Sequence, residues 1–251
     1  MGAGEVGGSP GVGAKQRKNS FRSLIIPGGP PVRLQEYGAA SNAMNQCIPR
    51  LLGHSFGDGY IHRAKWYFVY TNNAEELHDE VKESVSNVFG KVSHCRRTSI
   101  GGTPQVQFSP VVGKKLNDQG APRGSKIRQE TIIPPTMTNG DEATIANFLG
   151  ALCDDEAQVR TDSRSKQIAL KSVKISSLEA ELEAYLNQIK EMFESLGVRC
   201  STPKRDRTYA RRGETRISKR IWITGSSNFA TFARKILLNH SGKQARLQAL
   251  L

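Results

Sequence analysis

The sequence predicts an α+β protein made of two similar halves, and three observations carry that expectation. Two short stretches, Leu51-Leu52-Gly53-His54-Ser55-Phe56-Gly57-Asp58-Gly59 and Leu149-Gly150-Ala151-Leu152-Cys153-Asp154-Asp155-Glu156-Ala157, repeat one pattern of apolar and small residues that runs into acid. Strand-like and helix-like segments follow each of them in the same order. Acidic residues gather on the long helical stripes, and basic residues on the strands and loops between them.

Residues 1–44 are rich in Gly, Pro, Ser and Ala, with a basic cluster at Lys15, Arg17 and Lys18. Such a segment buries too little apolar surface to offset its ordering entropy, so it reads as a disordered tail, and a chain starting at Met44 is expected to fold and bind without it. The first short stretch then reads as a helix. Gly53 and Gly57 stand four apart and share one helical face, and Ala151 takes the place of Gly53 in the second stretch. Small residues at this spacing let two helix backbones approach closely, by simple sterics. Packed side by side, the two helices bring Asp58 and Glu156 together at their C-terminal ends. Two carboxylates held that close form a cation site rather than a stabilising contact.

The aromatic and β-branched run Trp66 to Tyr70 predicts a strand. Asn72 or Asn73, with Glu75 or Glu76 three residues on, reads as a capping box for a helix carrying Leu77, Val81, Val85, Val88 and Phe89 up to Gly90. Lys91 to Arg97 and Gln105 to Phe108 read as strands, and Val111 to Leu116 as a short helix. The second half repeats this order. Gln167 to Ile175 alternates as a strand, and Ser176 with Glu179 reads as a capping box. Leu178, Leu182, Tyr185, Leu186, Ile189, Met192, Phe193 and Leu196 then form one apolar stripe stopped by Gly197. That helix is too short for a coiled coil of several heptads. Val198 to Thr202 and Arg216 to Thr224 read as strands, and Phe229 to Leu238 as a last helix.

Composition narrows the function. The chain has 251 residues and a net charge of +13, an excess that favours nucleic acid or another anionic surface as partner. No apolar run approaches the roughly 20 residues of a membrane span, and the N-terminus lacks a signal-peptide core. Cys47, Cys95, Cys153 and Cys200 form no C-x-x-C pair, and no H-E-x-x-H occurs. Zinc is thus disfavoured, and a cation here would be hard and oxygen-bound, hence Mg²⁺.

The two acid-ended stretches resemble the nine-residue signature of the LAGLIDADG homing endonucleases, and the likeness extends over residues 46–251. Gly57-Asp58-Gly59-Tyr60-Ile61 looks like the usual exit from the first motif, and Phe148, Leu149 and Val159 sit where the family places apolar residues. The resemblance implies two pseudo-symmetric αββαββα halves, residues 45–137 and 138–251, each with a curved antiparallel sheet, packed through the two motif helices. It implies Asp58 and Glu156 as the catalytic acids and metal ligands, with Gly57 and Asp155 as neighbouring metal positions. Lys126, in Gly124-Ser125-Lys126, and Lys243, in Ser241-Gly242-Lys243-Gln244, resemble the segments that carry the family's active-site lysines. The activity implied is Mg²⁺-dependent cleavage of double-stranded DNA at a long site, leaving short cohesive ends, with Mn²⁺ able to substitute. One chain would suffice, as a monomer needing no protein partner, in the cytoplasm, on a nucleoid or in an organelle.

In such a protein the strands enter the major groove, where each base pair has its own donor and acceptor pattern. Gln105 and Gln107, with Gln167, are then expected to read bases. Arg63, Lys65, Arg96, Arg97, Arg160, Arg164, Lys166, Lys171, Lys204, Arg205, Arg207, Arg211, Arg212 and Arg216 are expected to hold phosphates and base edges.

Two departures mark the second motif. Ala157 replaces the expected glycine, and Asp155 occupies a position that is usually small. Three acids close together repel, so Asp155 is expected to loosen the helix pair, to favour nicking over double-strand cutting, and to give a more stable Asp155→Ala variant. Two other readings stay open. An intron maturase or a non-cleaving DNA-binding regulator would use the same fold. A serine hydrolase would use Gly53-His54-Ser55-Phe56-Gly57 as a G-x-S-x-G elbow, with Ser55 as nucleophile and Asp154 and His240 completing a triad, but it needs a strand before the elbow.

Overall fold

The computed structural model describes residue 1, residues 46–162 and residues 165–251. The expected tail and Arg164 lie outside the described residues. Helix α1 spans residues 46–56 and leads directly into β1 (Gly59–Ile61). Then come β2 (Phe68–Thr71), α2 (Glu75–Phe89), β3 (His94–Thr98), β4 (Pro104–Phe108) and α3 (Pro110–Asp118). A 3-10 turn at Lys126–Arg128 and the single-turn helix α4 (Pro135–Thr138) link to α5 (Glu142–Glu156). The second set is β5 (Ala157–Arg160), β6 (Gln167–Ile175), α6 (Glu179–Ser195), β7 (Lys204–Arg211), β8 (Glu214–Ile223), α7 (Ser226–Lys235) and α8 (Ser241–Gln248).

The two sheets share one topology. Their strand orders are β1-β2-β4-β3 and β5-β6-β8-β7, every pairing antiparallel. One face of each is apolar: Ile61, Phe68, Tyr70, Val106 and Phe108 in the first, Val159, Ile168, Leu170, Ile217 and Ile221 in the second, all buried. Side chains alternate across a strand, so the residues between them form the opposite, open face. On the apolar faces lie α2, through Leu77, Val81 and Val85, and α6, through Leu182, Leu186, Ile189 and Phe193. The α+β duplication and its paired motif helices are thus the architecture. Among the described residues, no helix is long and apolar enough to cross a membrane.

Several local expectations are corrected. Ala74, not Asn72 or Asn73, is the N-cap of α2, with no side-chain bond; Asn72 Oδ1 instead accepts from the Ala74 N–H at 2.9 Å, two residues on, closing an Asx turn. No capping box forms at Ser176, because a 3-10 turn (Ser176–Leu178) precedes α6 and Leu178 takes the cap position. Val198 to Thr202 is not a strand. The strand is the basic run that follows it, Lys204–Arg211, whose charges are carried because that strand is exposed along most of its length. Helix α8 carries a single buried apolar side chain, Leu247, and gives no periodic signal.

Candidate active site at the paired helix ends

Helices α1 and α5 touch backbone to backbone. A Cβ built on Gly53 would lie 2.4 Å from the Phe148 carbonyl oxygen and 2.8 Å from the Ala151 Cβ. One built on Gly57 would lie 2.4 Å from Asp155 Oδ2. The missing side chain of Gly57 is therefore the space that Asp155 fills.

Asp58 follows the last turn of α1, and Glu156 ends α5. Glu156 lies close enough to Asp58 to disfavour its charge. Burial, then Asp155, then Glu156 push the Asp58 carboxyl up to about 7, against the opposing pull of Lys126 and Lys243. Burial likewise raises the Glu156 carboxyl. Asn72 Nδ2 donates to Asp58 Oδ2 at 2.8 Å and fixes its orientation.

The two lysines named from the sequence lie at the same place. Lys126 Nζ donates to the carbonyls of Ser55 (3.2 Å), Phe56 (2.9 Å), Gly57 and Gly59 (2.9 Å), the C-terminal carbonyls of α1 and its exit. Lys243 Nζ does the same for α5, donating to Cys153 (3.1 Å), Asp154 (2.5 Å) and Asp155 (3.1 Å). Each ammonium satisfies carbonyls that a helix end leaves open and meets the negative pole of the helix dipole. Burial lowers the pKa of both amines, against the nearby carboxylates.

Asp155 repels Asp58 and Glu156 as expected, but it is neither solvent-facing nor uncompensated. Its side chain is fully buried. Tyr70 Oη donates to its Oδ1 at 2.6 Å, the Asp58 N–H to its Oδ2 at 3.0 Å, and His54 Nδ1 lies 3.1 Å from Oδ2. Burial disfavours a charged His54 ring, but Asp155 and Glu80 outweigh it, and its pKa rises to about 9. His54 Nε2 stands 3.3 Å from Glu80 Oε1, which also accepts from Arg50 Nε. Arg50 Nη2 donates to Asp154 Oδ2 at 2.9 Å, and Asp154 accepts the N–H groups of Asn239 (3.0 Å) and His240 (2.9 Å). A buried chain of charge thus runs from Tyr70 to His240 along one side of the helix pair. Despite its burial, Glu80 is held down at about 2 by His54 and Arg50.

The serine-hydrolase elbow does not form. Ser55 lies inside α1, buried, its Oγ donating to the Leu51 carbonyl at 2.7 Å. Asp154 binds the backbone of His240, not its ring.

Two cavities flank the carboxylates. One, of about 630 Å³, lies beside Glu156 against Gln158, Arg160, Lys171 and Arg220; the other, of about 620 Å³, lies beside Asp58 against Thr71, Asn72 and Lys243. The open face of the second sheet carries Gln158, Arg160, Gln167, Lys171, Lys204, Arg207, Arg211 and Arg220, as the cross-strand register requires. That of the first carries Arg97, Gln105 and Gln107. Arg63 and Lys65 are exposed in the turn between β1 and β2, Lys166 is exposed just before β6, and Arg212, at φ 53°, sits at the tip of the β7–β8 hairpin.

Three expected contacts are turned away. Arg96 is on the helix side, ion-paired with Glu75 of α2. Arg205 is held by Glu179 of α6 at 2.6 Å, and Arg216 is buried beside Glu214. For Arg96 and Arg205 the reason is strand parity: Arg96 and Arg97, like Lys204 and Arg205, are consecutive and must point to opposite faces, whereas Arg216 shares the parity of Arg220 and is instead covered beside Glu214. Residues not named from the sequence also matter. Asp206, at a bulge in β7, bonds Lys171 at 2.8 Å and Arg220 at 3.4 Å. Trp222, with Lys204 and Arg220 over its ring at 5.3 and 5.7 Å, adds an aromatic platform to the open face.

Residues 143–237 match the model of the LAGLIDADG-like domain. The second half is thus similar to a LAGLIDADG-like domain. The matched LAGLIDADG segment runs from the first turn of α5 to just past α7. Solved structures extend the fold likeness over most of the chain. One, of mesophilic variants of the homing endonuclease I-DmoI, is 15% identical and superposes with a TM-score of 0.54 over 82% of this chain and 98% of that one. Another, I-DmoI in complex with DNA and Ca, is 14% identical, with a TM-score of 0.55 over the same shares. A third, I-DmoI with DNA and Mn, gives 0.51 at 14% identity over 77% and 97%. No curated protein sequence matches the chain.

Proposed function

We propose that this chain is a site-specific endonuclease that hydrolyses both strands of duplex DNA with Mg²⁺, for which Mn²⁺ substitutes. The observation that carries the reading is the pair Asp58 and Glu156, half-buried near each other where the motif helices end between two open basic sheets. The I-DmoI structures in complex with DNA and Ca or Mn support it by their shared fold.

The donor set suits a hard divalent cation. Asp58 and Glu156 offer only oxygen, and both are raised in pKa, so a cation relieves what burial and repulsion cost. Among the described residues, no group of three or more His, Cys, Asp and Glu is set to hold a metal. Two carboxylates suit Mg²⁺, which is typically held by one or two carboxylates with water and substrate phosphate completing its shell. When bound, the cation supplies an acidified water and neutralises charge on the scissile phosphate. Asn72 orients the Asp58 carboxylate, while Lys126 and Lys243 hold the helix ends and place positive charge beside the reacting phosphates. The open-face cations grip the backbone, and Gln105, Gln107 and Gln167 face base edges.

Duplexes that the protein cuts are selected from a random-sequence pool, and each variant is then assayed on them. Asp58→Asn and Glu156→Gln should each abolish double-strand cleavage under Mg²⁺ and keep duplex affinity, since each removes charge from a ligand and no basic contact. Cleavage persisting in both variants overturns the assignment. A second reading, as an intron maturase, draws on Trp222 and on Tyr209, which has Arg207 over its ring at 4.9 Å, because cation-flanked aromatics stack unpaired bases. Tighter binding to structured intron RNA than to any selected duplex would favour it.

A further inference from the structure

The segment that carries Lys126 spans both halves: before the lysine, the Gly124 N–H donates to the Ile61 carbonyl of the first sheet at 2.9 Å, and from the lysine onward the hold changes. The lysine's side chain caps α1, yet its backbone is gripped by the other sheet. Lys174 of β6, only 2% exposed, spends all three of its N–H donors there: on the Lys126 carbonyl (2.8 Å), the Gln129 carbonyl (2.6 Å) and Thr131 Oγ1 (2.7 Å). No carboxylate pairs with it at hydrogen-bond range among the described residues. Burying an ammonium for packing alone is unfavourable, since an apolar side chain would fill the space without desolvating a charge. Three matched acceptors on one loop are a different use. They fix that loop in three directions.

The same sheet holds the loop again. Arg128 makes a two-pronged contact with Glu214 of β8, at 2.7 and 3.1 Å. Lys171, three residues before Lys174 on β6, lines the cavity beside Glu156. The segment bearing Lys243 is held differently, by Asp154 under Asn239 and His240 and by Glu76 on Ser241.

We propose that Lys174 is a positioning residue: by gripping the loop that carries Lys126, it couples the amine at the end of α1 to the strand that faces the duplex beside Glu156. The proposal rests on the nuclease reading for its consequence, but the grip itself is independent of it. Loss of Lys174 frees Lys126 and leaves Lys243 in place, so the defect falls on one of the two strand cuts.

The test uses the full chain and two readouts. Each lysine's reactivity toward an acetylating N-hydroxysuccinimide ester is measured by mass spectrometry, in wild type, Lys174→Met and Lys174→Arg. In Lys174→Met, acetylation of Lys126 should rise about 10-fold while Lys243 stays within about twofold, and Lys174→Arg should restore part of the protection. On a duplex selected by wild-type cleavage, one strand's single-turnover rate should fall about 10- to 100-fold at unchanged affinity, the size expected for a displaced charge. Unchanged Lys126 reactivity, or an equal rise at Lys243, overturns the grip. A freed Lys126 with both strand rates unchanged, or equally slowed, overturns the coupling. Should Lys174→Met fail to fold, Thr131→Val removes one acceptor and should raise Lys126 reactivity about threefold, and no rise overturns the proposal. A wild-type protein that cuts nothing in the pool refutes the nuclease reading, while the acetylation pattern still decides the grip.

Discussion

Asp58 holds its proton to about pH 7 in the fold, against an ordinary value near 3.8, so folding binds protons between those limits. Its contribution therefore falls as pH rises from about 4 to about 7 and is flat above. In metal-free buffer Asp58→Asn should raise the melting temperature at pH 7 and flatten that part of the profile, as thermal melts across pH will show. His54 titrates the other way in its own window. Its pKa is raised from 6.5 to about 9, so its contribution is complete below about pH 6.5 and is lost as pH climbs through about 9. Substituting His54→Gln should remove the alkaline loss and, by releasing Glu80 from its low pKa, weaken the stability that Glu80 contributes above about pH 4.5. Asp155→Ala is the sharpest case, because the structure reverses the sign expected from three crowded acids. It strands the Tyr70 hydroxyl, the His54 ring and the Asp58 N–H in the interior. Breaking a buried charged network from one side costs roughly 3–5 kcal/mol. Calorimetry giving a variant as stable as wild type would contradict this account.

At the level of elements, strand parity separates what was legible in the sequence from what was not. The motif helices, their contact through Gly53 and Ala151, and the strand at Gln167–Ile175 followed from spacing alone. The placement of Lys126 and Lys243 beside the carboxylates follows from resemblance, not from spacing. The assignment of cations to one surface fails at Arg96 and Arg205, each next to another cation on its strand and so facing the helices. Lys204–Arg211 was hidden as a strand because both its faces are exposed and no apolar alternation marks it. The polar chain through Arg50, His54, Glu80 and Asp154 was invisible for another reason. Its partners come from α1, α2 and α5, and nothing in their spacing announces a meeting. Asp206 offers a test at this scale. Releasing Lys171 and Arg220 with Asp206→Asn should tighten duplex binding and steepen its salt dependence by about one unit of slope per freed phosphate contact. Titration of binding at several salt concentrations will measure both.

For the molecule as a whole, a net charge of +13 and two open sheets bearing cations predict binding dominated by phosphate contacts. Affinity for any selected duplex should drop by about 10³-fold or more between roughly 50 and 200 mM salt, if some six phosphates are neutralised. A shallow dependence, read from the same titrations, would mean that fewer cations reach the backbone. One feature of the helix pair reaches further. Asp155 occupies the hollow left by Gly57, and His54 across the seam balances its charge. Paired with a copy of itself, α5 would set two buried aspartates against each other; α1 so paired would leave two hollows and two imidazoles without the carboxylate that faces them across the seam. Only the mixed pair is sound. Neither half could serve as its own partner across this seam, because each carries the other's missing complement.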